Sequence, residues 1–306
     1  MKQTRERSAR SGLNSSYKEF TRAAVQPIDA RTRVTEKREA REAPRGTAMS
    51  DGGVIGKLAR GLAERRDVLS AWVGVNEAAI AEALAREGFD AVTLDLQHGG
   101  VDFVGASQAV LAVALAGKPT LARIPVGDFA LASRLVDAGA AAVIAPMIDD
   151  AATARRFAEY VKFPPLGQRS WGPRAAQALS GFVGPAYLHG ANAVTLAIAM
   201  IETREALAAL DAILATPGID GVFVGPNDLS IALHRGGAVD PDGAEVDRAL
   251  TEISARASAH GKFAGLFCHD GRRAKAALAR GFALRSVSTD LNLLRAAARA
   301  ELAAAR

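Results

Sequence analysis

Two apolar runs in this chain stop at a carboxylate: AIAMIET carries Glu202 and GVFVGPNDLS carries Asp228. The stretches 194–201 and 221–224 are short, apolar and rich in β-branched residues, so they read as buried parallel strands. A carboxylate cannot sit unpaired in the core. Just past a strand end it belongs at the C-terminal rim of the sheet, where α/β proteins keep their ligands. Two carboxylates on successive strands can share one hard divalent cation, whose other positions go to water and substrate. That is the chemistry of a metal-assisted reaction on a small, oxygen-rich substrate. Capping is the commonest use of an aspartate at the start of a helix, and Asp228 admits that plainer reading. Glu202 follows six apolar residues, 196–201, at a strand end, where no cap is needed.

Three further stretches place chemically capable residues at strand ends. Leu94-Asp95-Leu96-Gln97-His98-Gly99-Gly100 puts a carboxylate three residues before an imidazole. Such a carboxylate can fix the imidazole tautomer and raise its basicity; a capping Asp beside a surface His is the alternative. Arg123 ends the run Leu121-Ala122-Arg123. At the rim it can hold a carboxylate or an enolate oxygen bidentately, or pair with a neighbouring acid, for which Asp95 is the candidate. Gly225-Pro226-Asn227-Asp228 reads as a strand-to-helix turn, with Pro226 in the first helical turn and Asn227 or Asp228 as cap. Free N–H groups there attract a substrate carboxylate. Trp72 ends the first strand and suits a pocket wall or the core. Cys268 reads as a small buried apolar residue, and His189, His234 and His260 as surface residues.

The elements that position these residues alternate. Strand signals fall at 69–73, 91–94, 120–124, 142–145, 194–201, 221–224, 263–267 and 284–287. Amphipathic helical segments lie between them, among them 78–87, 129–138, 151–161, 204–215 and 272–280. Strand–helix alternation with short connections gives a parallel sheet, and eight units in this length predict a (β/α)₈ TIM barrel. A doubly wound sheet would want a glycine-rich phosphate loop after the first strand, and Val73-Gly74-Val75-Asn76 is not one. Residues 163–180, with Arg169, Trp171 and Arg174, are long and Pro/Gly-rich and read as a functional lid or an interface segment. The Ala-rich helix over 291–305 either closes a monomeric barrel or packs on a partner subunit.

Composition bounds the function. Of 38 Lys and Arg and 33 Asp and Glu in 306 residues, 12 basic and 6 acidic residues fall in 1–48, so the basic excess belongs to that stretch alone. Residues 1–48 read as a disordered basic extension, with Met49 as the biological start and 49–306 as the folded domain. The near-neutral body gives no electrostatic reason for nucleic-acid or membrane binding. A single cysteine excludes intrachain disulfides, and with no secretory h-region it points to the cytoplasm.

In order and spacing, Phe89-Asp90 with LDLQHG, the strand ending in Arg123, GAAAVIAPMIDDAATAR, FPPLGQRSWGP, AMIET and GIDGVFVGPNDLS resemble the HpcH/HpaI aldolases. These are class II, divalent-metal-dependent pyruvate aldolases related to the citrate lyase β-subunit. The likeness runs over 68–294. It implies a barrel whose last helix is exchanged between subunits, in a homo-oligomer that is often a hexamer, a trimer of dimers. It also implies Glu202 and Asp228 as metal ligands, His98 as general base oriented by Asp95, Arg123 beside the substrate keto oxygen, and the backbone of Gly225, Pro226, Asn227 and Asp228 as the carboxylate receptor. The reaction implied is reversible cleavage of a 4-hydroxy-2-oxo acid to pyruvate, or a related 2-oxo acid, and an aldehyde, with Mg²⁺, Mn²⁺ or Co²⁺. Two positions depart from the family pattern: Gln97 replaces a frequent acidic residue before the His, and Met200 a frequent Gln. Both lie near the expected pocket. No Schiff-base lysine is needed, since Lys118 and Lys262 precede their strands. A CoA-thioester lyase of the citryl- or malyl-CoA type and a 2-oxo acid decarboxylase use the same barrel and metal chemistry. A vestigial scaffold is the non-enzymatic alternative; His98, Arg123, Glu202 and Asp228 together weigh against it.

Overall fold

The structure, a computed structural model, describes residues 51–306; the extension expected over 1–48 lies outside them. Eight parallel strands close into a barrel in sequence order: β1 Val68–Val73, β2 Ala91–Asp95, β3 Thr120–Arg123, β4 Ala142–Ala145, β5 Leu196–Met200, β6 Gly221–Val224, β7 Phe263–Cys268 and β8 Phe282–Val287. β1 pairs with both β2 and β8, which leaves no free edge. This is the (β/α)₈ barrel expected from the alternation of strand and helix signals.

Strand alternation sorts the core into two layers. Val68 and Trp72 of β1, Leu121 of β3, Ile198 and Met200 of β5, and Phe223 of β6 pack together in the barrel interior. Ala71, Val73, Val92, Leu94, Ala122, Val143 and Val222 face the surrounding helices instead. Two glycines make room for rings on the neighbouring strand. A β-carbon on Gly265 would lie 2.5 Å from the Phe223 ring, and one on Gly221 within 2.6 Å of the Phe263 ring. Ser70 Oγ pairs with Thr93 Oγ1 at 2.7 Å across β1 and β2.

Three elements differ from the sequence expectation. β5 is shorter than 194–201, because Val194 ends the helix Pro185–Val194 and Thr195 caps it. The helix expected over 204–215 is two short ones, Arg204–Ala208 and Leu210–Leu214, joined at Ala209. Of the two readings of 163–180, a lid or an interface segment, the lid does not hold. The helix Ala151–Val161 runs from the C-terminal rim back to the N-terminal end of the barrel and delivers 163–180 there, opposite the rim carboxylates. Lys162 fastens it: Nζ donates to the carbonyls of Asn192 and Thr195 at 2.9 and 2.5 Å and pairs with Asp220 at 2.7 Å. Arg169 pairs with Asp137 and lies 4.5 Å from the Phe163 ring, and Trp171 packs on Phe163 and Tyr187. These side chains are floor structure. Lys162 was not anticipated. All three of its ammonium protons are committed, and burial pushes its pKa below the ordinary lysine value against the pull of Asp220.

The last helix, Asp290–Ala304, does not close the barrel. Only Asp290 is buried, while Leu291, Leu294 and Leu302 stand exposed. Asp290 Oδ2 accepts the N–H groups of Gly74 and Val75 at 3.0 and 2.8 Å, tying the start of this helix to the end of β1. Among the described residues no helix is long and apolar enough to cross a membrane.

Candidate active site

Every residue singled out for chemistry lies at the C-terminal end of the barrel, where strands stop and loops begin. Asp95 is the last residue of β2 and Arg123 the last of β3. They are in register across the ladder, so their side chains meet. Arg123 Nε donates to Asp95 Oδ1 at 2.9 Å and Nη2 to Oδ2 at 2.6 Å. Trp72 Nε1 adds a third donor to Oδ2 at 3.2 Å, and the guanidinium carbon lies 4.8 Å from the Trp72 ring centroid. Burial pushes the Asp95 carboxyl up, but the Arg123 contacts together with the His98 N–H and Trp72 outweigh it and hold the group below the usual range. Both alternatives for Arg123 are compatible with this geometry: it is ion-paired and it stands at the rim.

The Asp95–His98 relationship is not the expected one. Asp95 Oδ1 accepts the backbone N–H groups of Gln97 and His98 at 3.1 and 3.2 Å. The carboxylate thus folds the loop after β2, and the two imidazole nitrogens have no hydrogen-bond partner among the described residues. His98 itself is exposed. Gly99 permits the turn: a β-carbon there would lie 2.4 Å from the Asp95 carbonyl and 2.8 Å from Gly74. Gln97 Oε1 is buried without a hydrogen-bond partner among the described residues.

Glu202 and Asp228 converge. Glu202 lies two residues beyond β5 and is 3% exposed. Asp228 lies in the first turn of the helix Pro226–Leu233, whose N-cap is Gly225 with no side-chain cap. Asp228 is therefore not the cap, and its carboxylate is free for another use. A β-carbon on Gly225 would sit 2.8 Å from Glu202 Oε2 and 3.4 Å from Asp228 Oδ2, with Met200 Cε 3.1 Å away. Glu202 Oε1 is already engaged, accepting the Met147 N–H at 2.8 Å. Burial drives the Glu202 pKa up, the Met147 N–H opposes it, Asp228 raises it further and Arg123 lowers it; the result is about 7. A buried carboxylate facing a second one is a poor resting arrangement without a cation between them. Among the described residues no group of three or more His, Cys, Asp and Glu is placed to hold a metal ion. Two hard oxygens with open space fit a cation that draws its other ligands from water and substrate; they do not fit a closed zinc site.

The wall opposite is aromatic. Trp72 stacks on Phe223 at 5.9 Å and meets Phe267 edge-on at 5.3 Å, and Phe267 meets His269 at 5.4 Å. His269 Nε2 lies 3.1 Å from Asn227 Oδ1, so the Asn227 side chain turns toward β7. Phe267, His269 and Met147 belong to this rim and were not singled out from the sequence. The period-two pattern of β7 carries the signal for the first two; nothing local marks Met147.

A family model described as HpcH/HpaI aldolase/citrate lyase matches residues 69–297. The chain belongs to the HpcH/HpaI aldolase/citrate lyase family. This family member is 42% identical over 243 residues to a hydroxypyruvate/pyruvate aldolase of Rhizorhabdus wittichii, covering 79% of this chain and 96% of that one. It is 33% identical to a 4-hydroxy-2-oxo-heptane-1,7-dioate aldolase of Klebsiella pneumoniae, covering 79% of this chain and 89% of that one. A solved structure of an HpcH/HpaI aldolase/citrate lyase family protein from Burkholderia cenocepacia superposes with a TM-score of 0.74 at 30% identity, over 81% of this chain and 98% of that one. The barrel and rim described above are thus those of an HpcH/HpaI family member.

Proposed function

We propose that this HpcH/HpaI family member is a divalent-metal-dependent aldolase, a carbon–carbon lyase that reversibly cleaves 4-hydroxy-2-oxo acids to pyruvate, or a related 2-oxo acid, and an aldehyde. The observation that carries the reading is the convergence of Glu202 Oε2 and Asp228 Oδ2 on one point at the rim. The aldolase names of the relatives support the same reaction class.

In this reading Glu202 and Asp228 hold a divalent cation, for which Mg²⁺, Mn²⁺ and Co²⁺ all suit an oxygen-ligand site. When bound, that cation supplies Lewis-acid stabilisation of the enolate oxygen. Arg123 presents a second positive charge to the same oxygen, held in place by its fork on Asp95. The first-turn N–H groups after Gly225 and Pro226, which have no intrahelical acceptor, receive the substrate carboxylate. His98, carried on the loop that Asp95 folds, takes the proton from the substrate C3 and returns it in the reverse direction. Trp72 and Gln97 line the pocket.

Two further proposals concern the whole protein. The exposed leucines of the helix Asp290–Ala304 favour exchange of this helix between subunits of a homo-oligomer, a trimer of dimers. The single buried cysteine favours a cytoplasmic location.

The test is proton NMR of pyruvate in D₂O with the purified protein, with and without Mg²⁺. Metal-dependent loss of the methyl signal is the expected result, abolished in Glu202→Gln and in Asp228→Asn. Exchange that persists in both variants overturns the ligand assignment.

A further inference from the structure

The loop after β4 holds a residue in a conformation its side chain does not favour. Met147 has a φ of +54°. Non-glycine residues adopt that left-handed region uncommonly, and β-branched ones only as outliers. The Met147 side chain is 40% exposed, so its packing does not account for the backbone. The contact made by the main chain does: the Met147 N–H donates to Glu202 Oε1 at 2.8 Å across 55 positions of sequence. A second tie joins the same two loops, Thr203 Oγ1 donating to Asp149 Oδ1 at 2.5 Å. Thr203 also caps the helix Arg204–Ala208 by accepting the Ala206 N–H at 3.0 Å. The β4 loop is thereby latched to a helix start on one side and to Glu202 on the other.

We infer that Met147 is a positioning residue: its left-handed backbone occupies Glu202 Oε1 and leaves Oε2 as the oxygen turned toward Asp228. The inference deepens the assignment of Glu202 and Asp228 as cation ligands and rests on it. A carboxylate free to rotate about its last bond would present either oxygen or both, and would lose that freedom on binding the cation. With Oε1 committed, the geometry exists before the cation arrives. Strain at a functional position is retained when the surrounding structure over-determines it, and the two latches are that surrounding structure.

The test uses Mn²⁺ binding to the full-length protein without substrate, read from the free-ion signal in electron paramagnetic resonance. Met147→Val drives the backbone out of the left-handed region, and its Mn²⁺ dissociation constant is expected to rise about 10–100-fold, the usual cost of losing an outer-sphere partner. Met147→Gly adopts positive φ freely and is expected to keep the wild-type affinity, as is Met147→Ala, which shortens the side chain without branching it. Thr203→Val cuts the second tie, and with it the cap on the Ala206 N–H, without touching Met147, and is expected to weaken binding in the same direction. Circular dichroism in EDTA verifies the fold of each variant, and the Thr203 variant carries the test should the valine variant not fold. Wild-type affinity in both Met147→Val and Thr203→Val overturns the inference, and so does an equal loss in Met147→Gly and Met147→Val. Equal binding by wild type and Glu202→Gln overturns the ligand assignment itself, a separate result.

Discussion

The Arg123 guanidinium and the Asp95 carboxylate meet side-on through two hydrogen bonds, 2.9 and 2.6 Å long. Both groups are nearly excluded from solvent, with side-chain exposures of 10% and 7%. Adjacent strands in register place them together, and Trp72 packs beneath both. A lone arginine on a flexible stem would sample many positions at the rim. The fork fixes the plane of the guanidinium and therefore the direction in which its remaining N–H groups point.

Asp95→Asn breaks that fork and leaves a buried guanidinium unpaired. The expected cost is about 3–5 kcal/mol of stability and roughly 10²–10³-fold in kcat/KM, measured by urea unfolding and steady-state kinetics. The pH dependence has a definite sign. Asp95 has its folded pKa below the unfolded value of 3.8, so its stabilising contribution is complete above 3.8 and is lost as the pH falls through the folded value. The stability gap between wild type and Asp95→Asn should stay constant through neutral pH and shrink below 3.8. A gap that widens on acidification would contradict the ion pair.

His98→Ala removes an exposed imidazole whose ring nitrogens have no hydrogen-bond partner among the described residues. Stability should change by no more than about 0.5 kcal/mol, while methyl-proton exchange of pyruvate slows by about 10²–10⁴-fold. Mn²⁺ affinity should be unchanged, because the backbone N–H that Asp95 holds survives the substitution. Unaltered exchange would assign the base to another group.

Gly225→Ala tests the convergence of the two carboxylates. The Gly225 φ of −91° and ψ of 97° suit alanine, so any effect comes from the added methyl. That methyl would stand 2.8 Å from Glu202 Oε2 and 3.1 Å from Met200 Cε. It must push the carboxylate aside, and we expect Mn²⁺ affinity to fall about tenfold or more with fold retained. Isothermal titration of Mn²⁺ into the variant measures it directly.

Cys268 should be inert in the folded protein. It is fully buried, and burial with nearby Asp270 pushes the thiol up to about 12. The thiolate is the reactive form, so at pH 8 an aromatic disulfide reagent should modify the cysteine only after unfolding. Prompt reaction of the native protein would show that the end of β7 opens.

The sequence alone determined the barrel and most of the rim. Strand and helix periodicities are local properties, and burial forces an apolar run ending in a carboxylate to place that carboxylate at a sheet end. Hence Asp95, Arg123, Glu202 and Asp228 are legible as rim residues in the sequence itself. Tertiary structure alone decided what each touches. Asp95 folds its own loop and pairs with Arg123, 28 positions away, instead of binding the His98 ring, because register, not sequence distance, sets which side chains meet. Residues 163–180 carry the composition of a functional loop, yet the direction of the preceding helix delivers them to the barrel floor. The left-handed Met147 has no local signature at all: methionine does not ask for positive φ, and only a distant carboxylate explains why the backbone holds it.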